Sequence, residues 1–157
     1  MDHPPEPRVP STGSRLGEHA SRPSIRLERC VEWADNDPSG HWHNTAALRM
    51  VESAERVLFD RLGLVDIYGR LPRVHISVDF RLPLRFNEIA EIVLEVVDVG
   101  RTSITYRADI SRRGEICAEL RMVAVLRDDE GNPTSWSDEQ RLLLTTAGPQ
   151  RPATAQP

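Results

Sequence analysis

Ten consecutive residues, Asp35-Asn-Asp37-Pro-Ser-Gly-His41-Trp-His43-Asn44, gather two carboxylates, two imidazoles and several turn formers. Directly after them, from about Thr45 to Leu62, the apolar residues Ala47, Val51, Ala54, Leu58 and Leu62 recur at intervals of three and four, the spacing of a helix. The acids and imidazoles therefore stand where a helix begins. First-turn N–H groups lack partners within the helix and carry the positive end of its dipole. A carbonyl held against them is polarised, and an oxyanion forming on it is stabilised; losing one such donor costs enzymes on the order of a hundred- to a thousand-fold in rate. A carboxylate alongside can attack that carbonyl or take a proton from an attacking water. With an ordinary pKa of roughly 3.9, an Asp is ionised and ready for either role at neutral pH. A polarising helix end beside a carboxylate predicts acyl transfer.

Such a site needs a scaffold. Ser24 to Trp33 alternates apolar with polar residues, as a strand with one buried face does. Asn44 or Thr45 is placed to cap the helix, and Gly63 to stop it. After a loop holding Tyr68, Gly69 and Pro72, strand-like runs cover about residues 74 to 81, 88 to 99, 102 to 112 and 115 to 127. Gly100-Arg-Thr and Arg113-Gly114 are hairpin signals that make neighbours antiparallel. A short helix is expected at about Asp138 to Leu144. Strand, long helix and a run of antiparallel strands argue an α+β class with one helix against one curved sheet. Residues 1–24 and 146–157 are Pro- and Ser-rich or otherwise without apolar periodicity, and predict disordered tails around a domain at 25–145.

Composition removes several classes of function. A formal net charge of -4 gives no drive towards nucleic acid or an anionic membrane. All 20 basic residues are Arg. No apolar run nears the roughly 18 residues that cross a bilayer and no signal peptide opens the chain, so the expectation is a cytoplasmic protein. Cys30 and Cys117 lack metal-ligand spacing and are read as reduced core residues. His41 and His43 suggest a metal site with Asp35, yet further ligands at sensible spacing are missing, so no metal and no cofactor is expected. A GxGxxG run, a P-loop and a Gly-x-Ser-x-Gly elbow are absent as well, which disfavours nucleotide and serine-hydrolase chemistry.

Val31-Glu-Trp-Ala-Asp-Asn-Asp-Pro-Ser-Gly-His-Trp-His-Asn44 resembles the signature loop of the 4-hydroxybenzoyl-CoA thioesterase-like hotdog family, in which an Asp-x-Asp-x-x-Gly stretch precedes the long helix. The likeness continues in Leu48-Arg49 and Glu52-Ser-Ala-Glu-Arg56, in Val78-Asp-Phe-Arg-Leu-Pro-Leu-Arg-Phe86, and in Val99-Gly-Arg-Thr-Ser-Ile-Thr-Tyr106. The resemblance implies a hotdog fold and an enzyme that hydrolyses acyl-CoA or acyl-carrier-protein thioesters. It makes Asp37 the catalytic carboxylate and puts the backbone N–H of His43 or Asn44 on the thioester carbonyl. It also implies a homodimer with interfacial active sites, in many relatives assembled further into a homotetramer. The chain departs from the family at Ala47, Met50 and Val51, where relatives often carry aromatic residues, and at His43, often Tyr or Asn. Those differences bear on the acyl group.

Other residues have two readings each. Asp37, taken alone, is a good turn aspartate, since Asp-Pro is common in loops. His41 is expected to pack the loop or orient substrate, His43 to approach the acyl group, and Trp42 to pack or line the acyl pocket. Glu52 is either a substrate-facing acid or a helix-face partner of Arg49 or Arg56. Arg112 and Arg113, at a hairpin tip, either grip the phosphates of CoA or are simply solvated. Two rival functions use the same residues: a hotdog dehydratase or hydratase in which Asp37 works with His41 or His43, and a non-catalytic module that holds acyl thioesters.

Overall fold

The computed structural model describes residues 22–155. The expected N-terminal tail falls almost wholly on residues 1–21, outside the described residues. Strand β1 (Ser24–Cys30) opens the domain, buries Ile25 and Leu27 and exposes Arg26 and Glu28. A 3-10 turn at Trp33–Asp35 leads to helix α1 (Asn44–Arg61), and the one-turn helix α2 (Val65–Tyr68) follows. Strands β2 (Arg73–Phe80), β3 (Ile89–Val99), β4 (Ser103–Arg112) and β5 (Glu115–Val125) come next, then helix α3 (Asp138–Thr146) and a short strand β6 (Ala153–Thr154). The strands form one sheet in the order β2-β5-β4-β3-β1-β6. The expected bounds of β2 to β5 match to within two residues, while β1 stops at Cys30, three residues short of the expected Trp33, where the 3-10 turn begins.

Alternation sets the register. Ile92, Leu94 and Val96 of β3 stand opposite Ile110, Ala108 and Tyr106 of β4, which in turn face Ala118, Leu120 and Met122 of β5. All nine are buried, so one sheet face is a continuous apolar surface. Ile116, two residues before Ala118 and so on its face by strict alternation, is exposed, because a register shift between Ile110 and Ser111 breaks the alternation. Arg113 and Gly114 both have positive φ, the pair that a two-residue hairpin turn demands.

Helix α1 packs against β1 and β3 through Ala46, Ala47, Met50, Val51, Ala54, Leu58 and Phe59. It ends as foreseen at Gly63, whose N–H reaches Asp60, while that of Leu64 reaches Phe59. Its cap is His43, however, rather than Asn44 or Thr45. Because α1 covers the β1 and β3 side of the sheet, the far edge, at β2, is left uncovered among the described residues. Ile76 and Phe80 of β2 pair with the buried Met122 and Ala118 of β5, yet they stay exposed, as does Val74 in the bulge between Arg73 and His75.

Two expectations are corrected. Cys30 is only partly buried, although Cys117 is fully so. The segment after residue 146 is not a loose tail as far as Ala155: Gln150 N–H donates to the Ser24 carbonyl at 2.8 Å, and β6 runs parallel to β1. Its composition has no apolar pattern because the attachment is through the backbone, on a sheet edge that offers unpaired carbonyls. No helix among the described residues is long and apolar enough to cross a membrane.

The buried arc of α1 also contains an unexpected acid. Glu55 is fully buried and pairs with Arg73 at the start of β2, with the Tyr106 hydroxyl buried nearby. Burial pushes its carboxyl pKa up, and Arg73 only partly opposes that. The folded state then holds the proton more tightly than the unfolded state. This group's contribution to stability should therefore decline as pH rises from the ordinary value of about 4.3 through its folded pKa, then level off. Thermal melts of wild type and Glu55→Gln between about pH 4 and pH 8 check this. The expected outcome is a Tm difference that moves in favour of the Gln variant as pH rises; a constant difference excludes it.

Candidate active site

The loop that carries the chemistry is a small hairpin of its own. Asp37 N–H donates to the His41 carbonyl at 2.8 Å, Gly40 N–H donates to the Asp37 carbonyl at 3.0 Å, and Asn36 bridges to Trp42. Gly40, at φ +79°, turns the chain where a side chain would be strained. One end of the hairpin is tied to the β2–β3 connection, where Trp42 N–H meets the Leu84 carbonyl at 3.1 Å. The other is tied to the helix entrance, where His43 N–H meets the Asp35 carbonyl at 2.5 Å.

Asp37 sits half-exposed at the tip. Its Oδ1 accepts hydrogen bonds from the Ser39 amide at 2.8 Å and from the Ser39 hydroxyl, and among the described residues Oδ2 has no partner. Those two Ser39 bonds, the hydroxyl first, hold its pKa below the ordinary value, with smaller help from His41. The Ser39 oxygen also lies 3.1 Å from His41 Nδ1. Since the hydroxyl gives its one hydrogen to Asp37, the imidazole must donate from Nδ1. Asp37, Ser39 and His41 thus form one chain of hydrogen bonds.

His43 caps α1, its Nδ1 lying 2.9 Å from the Thr45 hydroxyl and 3.4 Å from the Thr45 amide. Its own N–H is occupied by Asp35, so of the two amides considered for the carbonyl, only that of Asn44 is unengaged among the described residues. Asn44 and His41 both line a cleft of about 260 Å³, walled by Trp42, Phe80, Leu82 and Pro83 with Arg81 at its edge. Trp42 is buried and meets Phe80 edge to face at 5.5 Å. Asp37 stands beside this cleft rather than in its lining, joined to it through His41.

The other predicted residues lie elsewhere. Glu52 is exposed on the outer side of α1 beside Ser53 and Tyr68, and it pairs with neither arginine: Arg49 bonds Asp35, and Arg56 lies 5.8 Å over the Tyr68 ring. Arg112 is held by both oxygens of Glu88 at 2.8 and 3.0 Å, and its pKa is raised by that bond. Together with Arg113 it lines a separate, acid-rich cleft of about 460 Å³ that shares no residue with the first. Among the described residues no three His, Cys, Asp or Glu are grouped to hold a metal. Sequence reasoning missed Ser39, although Asp-x-Ser is a recognisable turn in which the side chain bonds the backbone two residues on. It also missed Phe80 and Leu82, for which period-two alternation gives no sign of exposure.

The chain matches the family model of the thioesterase-like superfamily over residues 31–144 and belongs to that family. Its hotdog fold is shared with several solved structures. One is a thioesterase from Thermus thermophilus complexed with coenzyme A and Zn, at 24% identity and TM-score 0.72, over 79% of this chain and 92% of that one. Another is the 1,4-dihydroxy-2-naphthoyl-CoA thioesterase of Synechocystis, at 20% identity and TM-score 0.70, over 77% and 95%. A third is a predicted thioesterase from Bacillus stearothermophilus, at 23% identity and TM-score 0.71, over 77% and 93%. No curated protein matches the chain significantly.

Because the Ser39 bonds are the main cause of the low Asp37 pKa, Ser39→Ala should raise it towards 3.8, the ordinary value. Carboxyl-carbon NMR titration of the two proteins reads this directly, and equal titration midpoints would rule the arrangement out.

Proposed function

We propose that this protein hydrolyses acyl thioesters. The observation that carries the reading is the meeting of three features: an ionised carboxylate with one unengaged oxygen, an unpaired amide on the first residue of an 18-residue helix, and an apolar cleft beside both. In this reading the acyl group lies along Trp42, Phe80 and Leu82, and the Asn44 N–H receives the thioester oxygen. Oδ2 of Asp37 attacks the carbonyl carbon or takes a proton from a water that does. In the first route the thiolate departs, leaving an acyl–aspartyl anhydride that a water then hydrolyses. In the second, the proton that Asp37 takes from the attacking water passes to the departing sulfur. Either way one water is consumed, and free acid and thiol are released. His41 lies next to the reacting atoms and orients Asp37 through Ser39. Relatives complexed with coenzyme A or acting on an aromatic acyl-CoA support a CoA thioester as substrate.

A thiol-release assay across aliphatic and aromatic CoA esters tests this. Asp37→Asn should lower kcat by about 10²- to 10⁴-fold, the range for loss of a general base, while the fold is kept. Equal turnover by wild type and Asp37→Asn excludes the mechanism. Incorporation of labelled solvent oxygen into the Asp37 carboxylate during single turnover would mark the nucleophilic route.

We infer further that the enzyme works as a homodimer joined through β2. That strand is a sheet edge, and its apolar face is the part of the inner surface that α1 leaves bare. A second copy would cover Ile76 and Phe80, and so close the cleft that Phe80 borders. Ile76→Lys should convert dimer to monomer in sedimentation velocity. A variant still dimeric would assign the interface elsewhere.

A further inference from the structure

Asp35 is the most heavily hydrogen-bonded side chain near the site, and the chemistry above does not use it. It is 1% exposed and accepts four hydrogen bonds. Arg29 Nη2, from β1, lies 2.9 Å from Oδ2 and 3.2 Å from Oδ1. The Glu32 amide donates to Oδ2 at 3.0 Å, and Arg49 Nη2, from the second turn of α1, donates to Oδ1 at 3.0 Å. Arg49 also bonds the Thr45 hydroxyl at 3.0 Å and the Ala34 carbonyl at 3.4 Å. One carboxylate therefore joins the sheet, the loop and the helix.

We propose that Asp35 and Arg49 are positioning residues that set Asp37 against the helix entrance; the proposal rests on the hydrolase reading and deepens it. Buried ion pairs are a poor route to stability, since apolar side chains of the same volume usually do as well. What a multiply bonded carboxylate supplies is fixed geometry. Here the geometry has two outputs within reach of the same residue. The Asp35 carbonyl takes the His43 N–H, which leaves Asn44 with the unengaged amide. Two residues on, at most about 7 Å of chain, Asp37 begins the hairpin. The distance from carboxylate to free amide is thus fixed by one residue, and Arg49 braces that residue from the helix side. Misplacement by about 1 Å can cost a reaction on the order of a hundred-fold.

Arg49 is the informative residue to change, because it is partly exposed and Arg29 still partners Asp35 without it. In Arg49→Met, kcat for thiol release should fall about ten- to hundred-fold with KM within about twofold, and Arg49→Lys should recover part of the loss. In the Asp37→Asn background the same change should cost nothing more, since a positioning residue acts only through the group it positions. Amide hydrogen exchange supplies a reading independent of turnover: Asp37 and His43 should exchange faster in Arg49→Met, with Met50 to Leu58 unchanged. Unaltered exchange at Asp37 and His43, or an equal loss of rate with and without Asp37, overturns the proposal. Absence of thiol release in wild type would instead sink the hydrolase reading, while the exchange experiment still decides the clamp.

Discussion

The hydrogen bond from His43 to the Asp35 carbonyl is the joint on which the site is built. A helix presents several unpaired amides at its start, and an acyl group could in principle meet more than one. Closing the His43 amide onto the preceding loop removes one choice, and the His43 ring, bonded to Thr45, makes the next turn less available. The loop is not free to drift from the helix because the same Asp35 is pinned by Arg29 and Arg49. Acidic tip, capped helix and apolar cleft therefore share one frame.

The two acids buried among the described residues illustrate different solutions to burial. Asp35 meets two guanidinium groups and an amide, so its charge is compensated on every side. Glu55 has one arginine, and its Oε1 lacks a partner among the described residues. Burial accordingly raises its pKa above the ordinary carboxylate value. The first acid stabilises a geometry. The second ties the beginning of β2 to the helix and makes that tie sensitive to pH.

The sheet has two edges, and they are treated differently. Beside β1 the chain supplies its own cover, folding back as β6 and bonding through backbone groups alone. Among the described residues the β2 edge has no such cover, and Ile76 and Phe80 stay exposed along it. A strand of that kind invites a partner. Phe80 belongs both to this edge and to the cleft wall, so the completion of the edge and the shape of the site are one problem.

Much of this was legible from local pattern. Period-two alternation specified β1 and β3 to β5, period 3.6 specified α1, and the Arg113-Gly114 turn and Gly63 marked their ends, because those signals depend on neighbours in the chain. The density of Asp, His and turn residues before α1 pointed to the site for the same reason. What local pattern does not carry is which groups meet across the fold. That Arg112 is neutralised by Glu88, that Glu52 faces outward, that Glu55 is buried against Arg73, and that a pattern-free segment pairs with β1 all depend on contacts between residues far apart in sequence. Residue types and spacing determined the elements and the kind of chemistry. Only packing decided which amide is free, which acid is pinned and which edge is left uncovered, since each of these follows from the distance between segments that the chain brings together by folding.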